Sequence, residues 1–115
     1  RAGGRVFPVR RSGKVSRGQD TWRGLISRCM DEGKTEWPPG SVQFVDGWEN
    51  VVKCTLTEAE LDVPFDSGYG GSRGKPFTLW TKTRVYFPVV YDGAEWVSSV
   101  PRDPCDAPTL HVGGE

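Results

Sequence analysis

Hydrophobic positions are most regularly spaced over residues 77–91. Phe77, Leu79, Thr81, Thr83, Val85, Phe87, Val89 and Tyr91 fall on one side of an extended chain, and Trp80, Tyr86 and Val90 on the other with Thr78, Lys82, Arg84 and Pro88. The period of two predicts one long strand. Apolar residues on both sides predict cover from both sides, by a second sheet layer and by a helix. Pro88 has no N–H for a ladder, so it predicts a bulge, a bend or an exposed edge. Asp92-Gly93 turns the chain, and residues 95–100 return as the partner strand. Residues 84–105 therefore read chiefly as a core hairpin with Val85, Phe87 and Val89 inward. Tyr86 and Trp96 are left on the other side, for the helix or for a partner to cover.

One other stretch has a clear period. Trp22, Leu25, Ile26, Cys29 and Met30 follow the i, i+3, i+4, i+7, i+8 spacing of an amphipathic helix, with Asp20 and Thr21 as caps before it and Gly33 as a stop beyond it. Arg23 and Arg28 lie on its polar side. Upstream, residues 5–11 could form a short strand, confined by Pro8 to an edge or an extended arm, and residues 12–19 read as linker.

Trp37-Pro38-Pro39-Gly40 reads as a rigid connector. After it, residues 42–45 and 48–55 look like strands joined by Asp46-Gly47, the two-residue signature of a type I′ hairpin. Alternation places Trp48, Asn50, Val52 and Cys54 on the buried face of the second run. Thr57 and Glu60 match a capping box over a short helical turn that Pro64 stops. The glycine-rich stretch at 66–76 reads as a loop.

These elements predict a β-rich α+β fold. It is a small antiparallel barrel-like sheet of four or five strands, built on two Asp-Gly hairpins, with one amphipathic helix across it and extended termini. The expected organisation is a basic extended arm at 1–19, a globular domain at 20–104 and a C-terminal tail at 105–115. At 115 residues the chain suits one domain. Fifteen glycines and nine prolines favour many turns and short elements.

The formal net charge is zero, yet it is unevenly spread. Residues 1–28 hold eight basic groups against Asp20 alone, for +7, and residues 29–115 hold seven basic and fourteen acidic groups, for −7. The head is thus expected to meet an acidic partner or its own acidic body. A start at Arg1 followed by an acid-free lead-in rich in Arg, Gly and Ser borders on transit-peptide composition, which makes a plastid or mitochondrion the suspected location and the cytoplasm the other. No apolar run is long enough to span a bilayer; peripheral membrane association is compatible with the sequence.

Candidate chemistry is sparse. Cys29, Cys54 and Cys105 are an odd number without a CxxC and with one histidine to complement them, which argues against a disulfide framework or a zinc site. Free buried thiols are expected, with a Cys54–Cys105 bridge as the alternative. The glycine loop fails as a Walker loop, since Tyr69 stands where glycine is needed and Pro76 where Ser or Thr is needed. It fails as a dinucleotide loop because Arg73 occupies the third glycine position. His111, with Cys105 and Asp106 near it, sits in a Pro/Gly-rich tail poorly suited to hold a catalytic group. Asp62 with Asp66 is one of many carboxylate pairs.

The expected function is a non-catalytic accessory subunit or protein-interaction module of a larger hetero-oligomeric assembly, with no cofactor and no metal. Expected partner-binding residues are Arg5, Phe7, Arg10, Arg11, Lys14 and Arg17 of the arm, with Tyr86 and Trp96 of the hairpin. Two further classes remain open: RNA binding through the basic arm, and a small enzyme of undefined reaction.

Overall fold

The computed structural model describes residues 19–68 and 73–113. In chain order these form β1 (Gln19–Asp20), α1 (Trp22–Glu32), β2 (Val51–Cys54), α2 (Glu58–Leu61), β3 (Phe65–Asp66), β4 (Leu79–Thr81), β5 (Arg84–Tyr91) and β6 (Ala94–Pro101). The described chain is α+β and strand-rich. Four strands make an antiparallel sheet in the order β2-β4-β5-β6, and β1 pairs with β3 in a second, two-stranded sheet. No barrel closes, because β2 and β6 are the two edges of the larger sheet and do not pair with each other.

The helix forms where the apolar period places it. Thr21 is the N-cap, its Oγ1 accepting from the Gly24 amide at 3.1 Å. Trp22, Leu25, Ile26 and Met30 are buried, and they form one core with Leu56, Leu61, Phe77, Leu79, Tyr86 and Val97. Burying each large aliphatic side chain contributes about 1.5–3 kcal/mol, so this stripe is what fixes α1 on the sheet. Gly33 ends the helix without entering the left-handed region, at φ −61°. Its lack of a side chain matters for a different reason: the Phe44 ring lies where a Cβ would be. The Thr57 and Glu60 capping box is present, both of its hydrogen bonds formed.

Three expectations change. First, Asp46-Gly47 is not a hairpin turn. Residues 41–47 form no strand, Trp48–Asn50 is a single 3₁₀ turn, and Gly47 is extended at φ −169°, far from the positive φ of a type I′ turn. The Asp46 side chain is buried and bonded to distant residues instead, which pulls this segment onto the sheet. Second, β2 does not alternate. A register shift between Val51 and Lys53 turns Val51 and Cys54 toward the core and leaves Val52 exposed.

Third, residues 77–91 are two strands, since the chain reverses at Lys82-Thr83. The Thr81 hydroxyl makes that turn, accepting from the amides of Thr83 at 3.3 Å and Arg84 at 2.9 Å. Reversal across two residues flips the parity. Leu79 pairs with Tyr86 and Trp80 with Val85, so the α1 side of the sheet joins odd positions of β4 to even positions of β5. Tyr86 is therefore fully buried in the core. Trp96 pairs with Val89, and thus lies on the opposite face with Val85 and Phe87.

Asp92-Gly93 turns as expected, with φ of 52° and 83° at the two residues. The flanking pair of a two-residue hairpin is a hydrogen-bonded pair, so Tyr91/Ala94, Val89/Trp96, Phe87/Ser98 and Val85/Val100 exchange the ladder bonds. The nitrogen of Pro88 then points away from β6. It faces the other side of β5, where the last β4 partner is Leu79 opposite Tyr86. The register through Pro88 is unbroken, and the half-buried proline sits at a locally unpaired strand edge rather than in a bulge.

Candidate interaction cleft

A cleft of about 470 Å³ lies between α1, β6, the connecting stretch after α1 and the C-terminal segment. α1 contributes Leu25, Arg28, Cys29 and Glu32, and β6 contributes Trp96, Val97, Ser98 and Ser99. Trp37, Val42, Leu110 and Val112 complete its apolar rim.

Arg84 fixes one end of the cleft. Its Nε donates to Ser99 Oγ at 3.0 Å and its Nη2 to the Ser99 carbonyl at 3.1 Å. The guanidinium stacks on Phe44, 3.8 Å from the ring centroid. Phe44 in turn rests on Gly33, and its amide donates to the Gly33 carbonyl at 2.6 Å. This chain of contacts holds the connecting stretch against the sheet. Burial lowers the Arg84 pKa, but from so high a value that the charge persists.

Behind the cleft is a polar knot centred on Asp46. Oδ1 accepts from the Gly47 amide and from Asn50 Nδ2, each at 3.0 Å. Oδ2 accepts from Thr81 Oγ1 and from the Tyr86 hydroxyl, each at 2.7 Å. Four donors saturate the carboxylate. Burial first, then donation to Asp46, pushes the Tyr86 phenol far above its ordinary range. It is held as a proton donor. A second buried carboxylate, Glu95, accepts from the Arg73 amide at 2.6 Å and the Gly74 amide at 3.1 Å, and so pins the end of the glycine-rich loop to β6.

The candidate reactive groups are dispersed or committed. Cys29 lines the cleft beside Ser99, yet burial pushes its thiol up to about 11, so at neutral pH it is not a thiolate nucleophile. His111 lines the far wall and is exposed. Asp62 and Asp66 do not act as a pair: Asp62 accepts from Arg23 Nε at 2.6 Å, and Asp66 from the Gly68 amide at 3.1 Å. Cys29, Cys54 and Cys105 are free thiols, with Cys105 exposed. Among the described residues no three His, Cys, Asp or Glu side chains are grouped so as to hold a metal ion. None of their helices is long and apolar enough to cross a membrane.

Of the residues expected to meet a partner, Trp96 lines the cleft, half-buried. Tyr86 is a correction: it is buried beneath α1 and cannot touch a partner. Arg5, Phe7, Arg10, Arg11, Lys14 and Arg17 lie outside the described residues. Sequence reasoning missed Arg84, Phe44 and the Trp37–Val42 rim. The signal was present in the rim, where an aromatic and a valine flank Pro-Pro-Gly, but it reads as a connector. No protein-family model, curated protein or solved structure matches this chain.

Proposed function

We propose that this chain is a non-catalytic interaction module, an accessory subunit of a larger protein assembly, and that it meets its partner at the rim of the cleft. One observation carries this reading. Trp37, Val42 and Val112 are exposed to 62%, 50% and 49% and border the same cleft, with Val45 exposed to 80% in the same connecting stretch. Single exposed apolar side chains are ordinary, whereas clustered ones mark interaction sites, and tryptophan is a frequent interface anchor. The chemistry nearby supports it: Asp46 is saturated by structural donors and Cys29 is held as a thiol. The basic arm, with Arg5, Phe7, Arg10, Arg11, Lys14 and Arg17, would add attraction toward an acidic partner. An organelle is the proposed setting, on the acid-free composition of residues 1–18.

The test is native purification of the protein from its own cells with mass analysis of what accompanies it. The expected result is a stoichiometric complex with another protein, lost when Trp37→Glu and Val42→Asp are introduced into a chain whose circular dichroism is unchanged. A monomer, or a complex indifferent to both changes, would overturn the reading. Binding of a single-stranded RNA probe that collapses as salt rises would assign residues 1–28 to nucleic acid instead.

A further inference from the structure

Resting on that reading, we propose that the cleft receives an extended polypeptide strand from the partner protein, paired to the free edge of β6. β6 is the last strand of the four-stranded sheet, so one of its sides has no strand beside it. The hairpin phase says which groups point there. Trp96, Ser98 and Val100 exchange hydrogen bonds with β5, so Glu95, Val97 and Ser99 direct their amides and carbonyls outward. Glu95 confirms the phase, because its N–H donates outward to the Ser67 carbonyl at 2.6 Å. With the antiparallel Gly68–Ala94 bridge, that bond marks where the described pairing on this edge ends. Beyond it, the Val97 amide and carbonyl and the Ser99 amide have no backbone partner among the described residues, while the Ser99 carbonyl is taken by Arg84.

The cleft runs along this edge. Trp96 and Ser98 project from one face of the strand, Val97 and Ser99 from the other, and all four line the same cavity. Only a cavity beside the strand can touch both sets. Its far wall is the C-terminal segment 107–113, which makes no backbone hydrogen bond to β6. Donors and acceptors repeating every second residue are matched by another peptide backbone, which would lie about 4.8 Å away. Leu110 and Val42 on the walls suit apolar side chains at alternate positions of that strand. An unpaired edge of this kind is also what a protein must either protect or use.

The probe is a displayed library of random peptides as long as β6, selected on the full chain. The expected outcome is a set of peptides with alternating apolar residues. At saturation they should slow amide exchange at Val97 and Ser99 and leave Trp96, Ser98 and Val100, already bonded to β5, unchanged. Ser99→Pro, which removes one outward donor, should weaken binding up to about tenfold. The exchange readout needs no variant, so a misfolded Ser99→Pro chain does not spoil the test. Failure to select any peptide would overturn the proposal. Peptides that perturb Trp37 and Val42 but not exchange at Val97 and Ser99 would overturn edge pairing while sparing the interaction-module reading. Concentration-dependent protection of both amides without peptide would also overturn it, by making a second copy of this chain the occupant. A native protein that purifies as a monomer sinks the underlying reading itself.

Discussion

The Tyr86 hydroxyl donates to Asp46 Oδ2 at 2.7 Å across 40 residues of sequence, and this bond joins the irregular connecting stretch to the centre of the sheet. Thr81 shares the same oxygen, so one buried carboxylate ties the connecting stretch to the β4–β5 turn and to the β5 core.

Removing that carboxylate should be among the most damaging single changes. Asp46→Ala leaves the Tyr86 hydroxyl and Asn50 Nδ2 without this acceptor and the Thr81 hydroxyl with only the Arg84 carbonyl, at 3.4 Å; with each orphaned group costing about 1–3 kcal/mol, the total loss should be about 2–6 kcal/mol. Tyr86→Phe removes one donor from a carboxylate that keeps three, and should cost about 1.5–3 kcal/mol. Urea unfolding of both variants and of the double variant checks this. The Tyr86→Phe cost should shrink sharply in the Asp46→Ala background, and additive costs would mean that the two residues act separately.

Alkaline pH should destabilise the fold in two stages. Cys29 and Tyr86 both have folded-state pKa values raised by burial, from 9.0 to about 11 for Cys29 and upward from 10.0 for Tyr86. The folded chain holds these protons more tightly than the unfolded one. The contribution is thus complete below about pH 9 and is lost as pH rises, first through the Cys29 range and then through that of Tyr86. For Cys29 the loss amounts to at most about 3 kcal/mol between its two pKa values. Urea midpoints measured from pH 7 upward should fall above about pH 9. Cys29→Ala should flatten the first part of the decline and Tyr86→Phe the second.

The sequence carried information where local chemistry decides and lost it where distant partners do. The α1 stripe Trp22, Leu25, Ile26 and Met30 was legible because period and cap agree with the buried face. The two Asp-Gly pairs are the sharper lesson. Asp92-Gly93 has only local options and turns, whereas Asp46-Gly47 meets Thr81 and Tyr86, whose hydroxyls hold the aspartate inward. Nothing local distinguishes the two. The β4–β5 reversal was hidden because a threonine hydroxyl supplies what glycine or asparagine usually does. Missing it inverted the parity of β5, and with it the side assigned to Tyr86. The cleft was illegible for a related reason: its walls come from α1, β6 and the chain's end, brought together only by folding.

Arg84 should act through geometry more than through charge. Arg84→Ala loses two bonds to Ser99 and the stack on Phe44, and should cost about 2–3 kcal/mol. Arg84→Lys keeps the charge but not the planar fork, so it should recover less than half of that loss. Thermal melts of the two variants at low and high salt decide the matter. A lysine chain as stable as the original, or a loss that disappears in high salt, would show that charge alone matters.

Trp37 and Phe44 belong to the same irregular stretch, yet they should behave oppositely. Phe44 packs between Gly33 and Arg84, so Phe44→Ala removes a ring that closes the end of the cleft and should cost about 2–4 kcal/mol. Trp37 is 62% exposed, and no described hydrogen bond or ring contact holds its indole, so Trp37→Ala should change stability by less than about 0.5 kcal/mol. If Trp37 serves the fold, its loss will shift the melting temperature. If it serves a partner, the isolated variant will melt unchanged and the native complex will be lost from cells expressing it. Paired measurement of melting and of complex recovery, with Phe44→Ala as the folding control, separates these outcomes, and the exposure of the indole predicts the second.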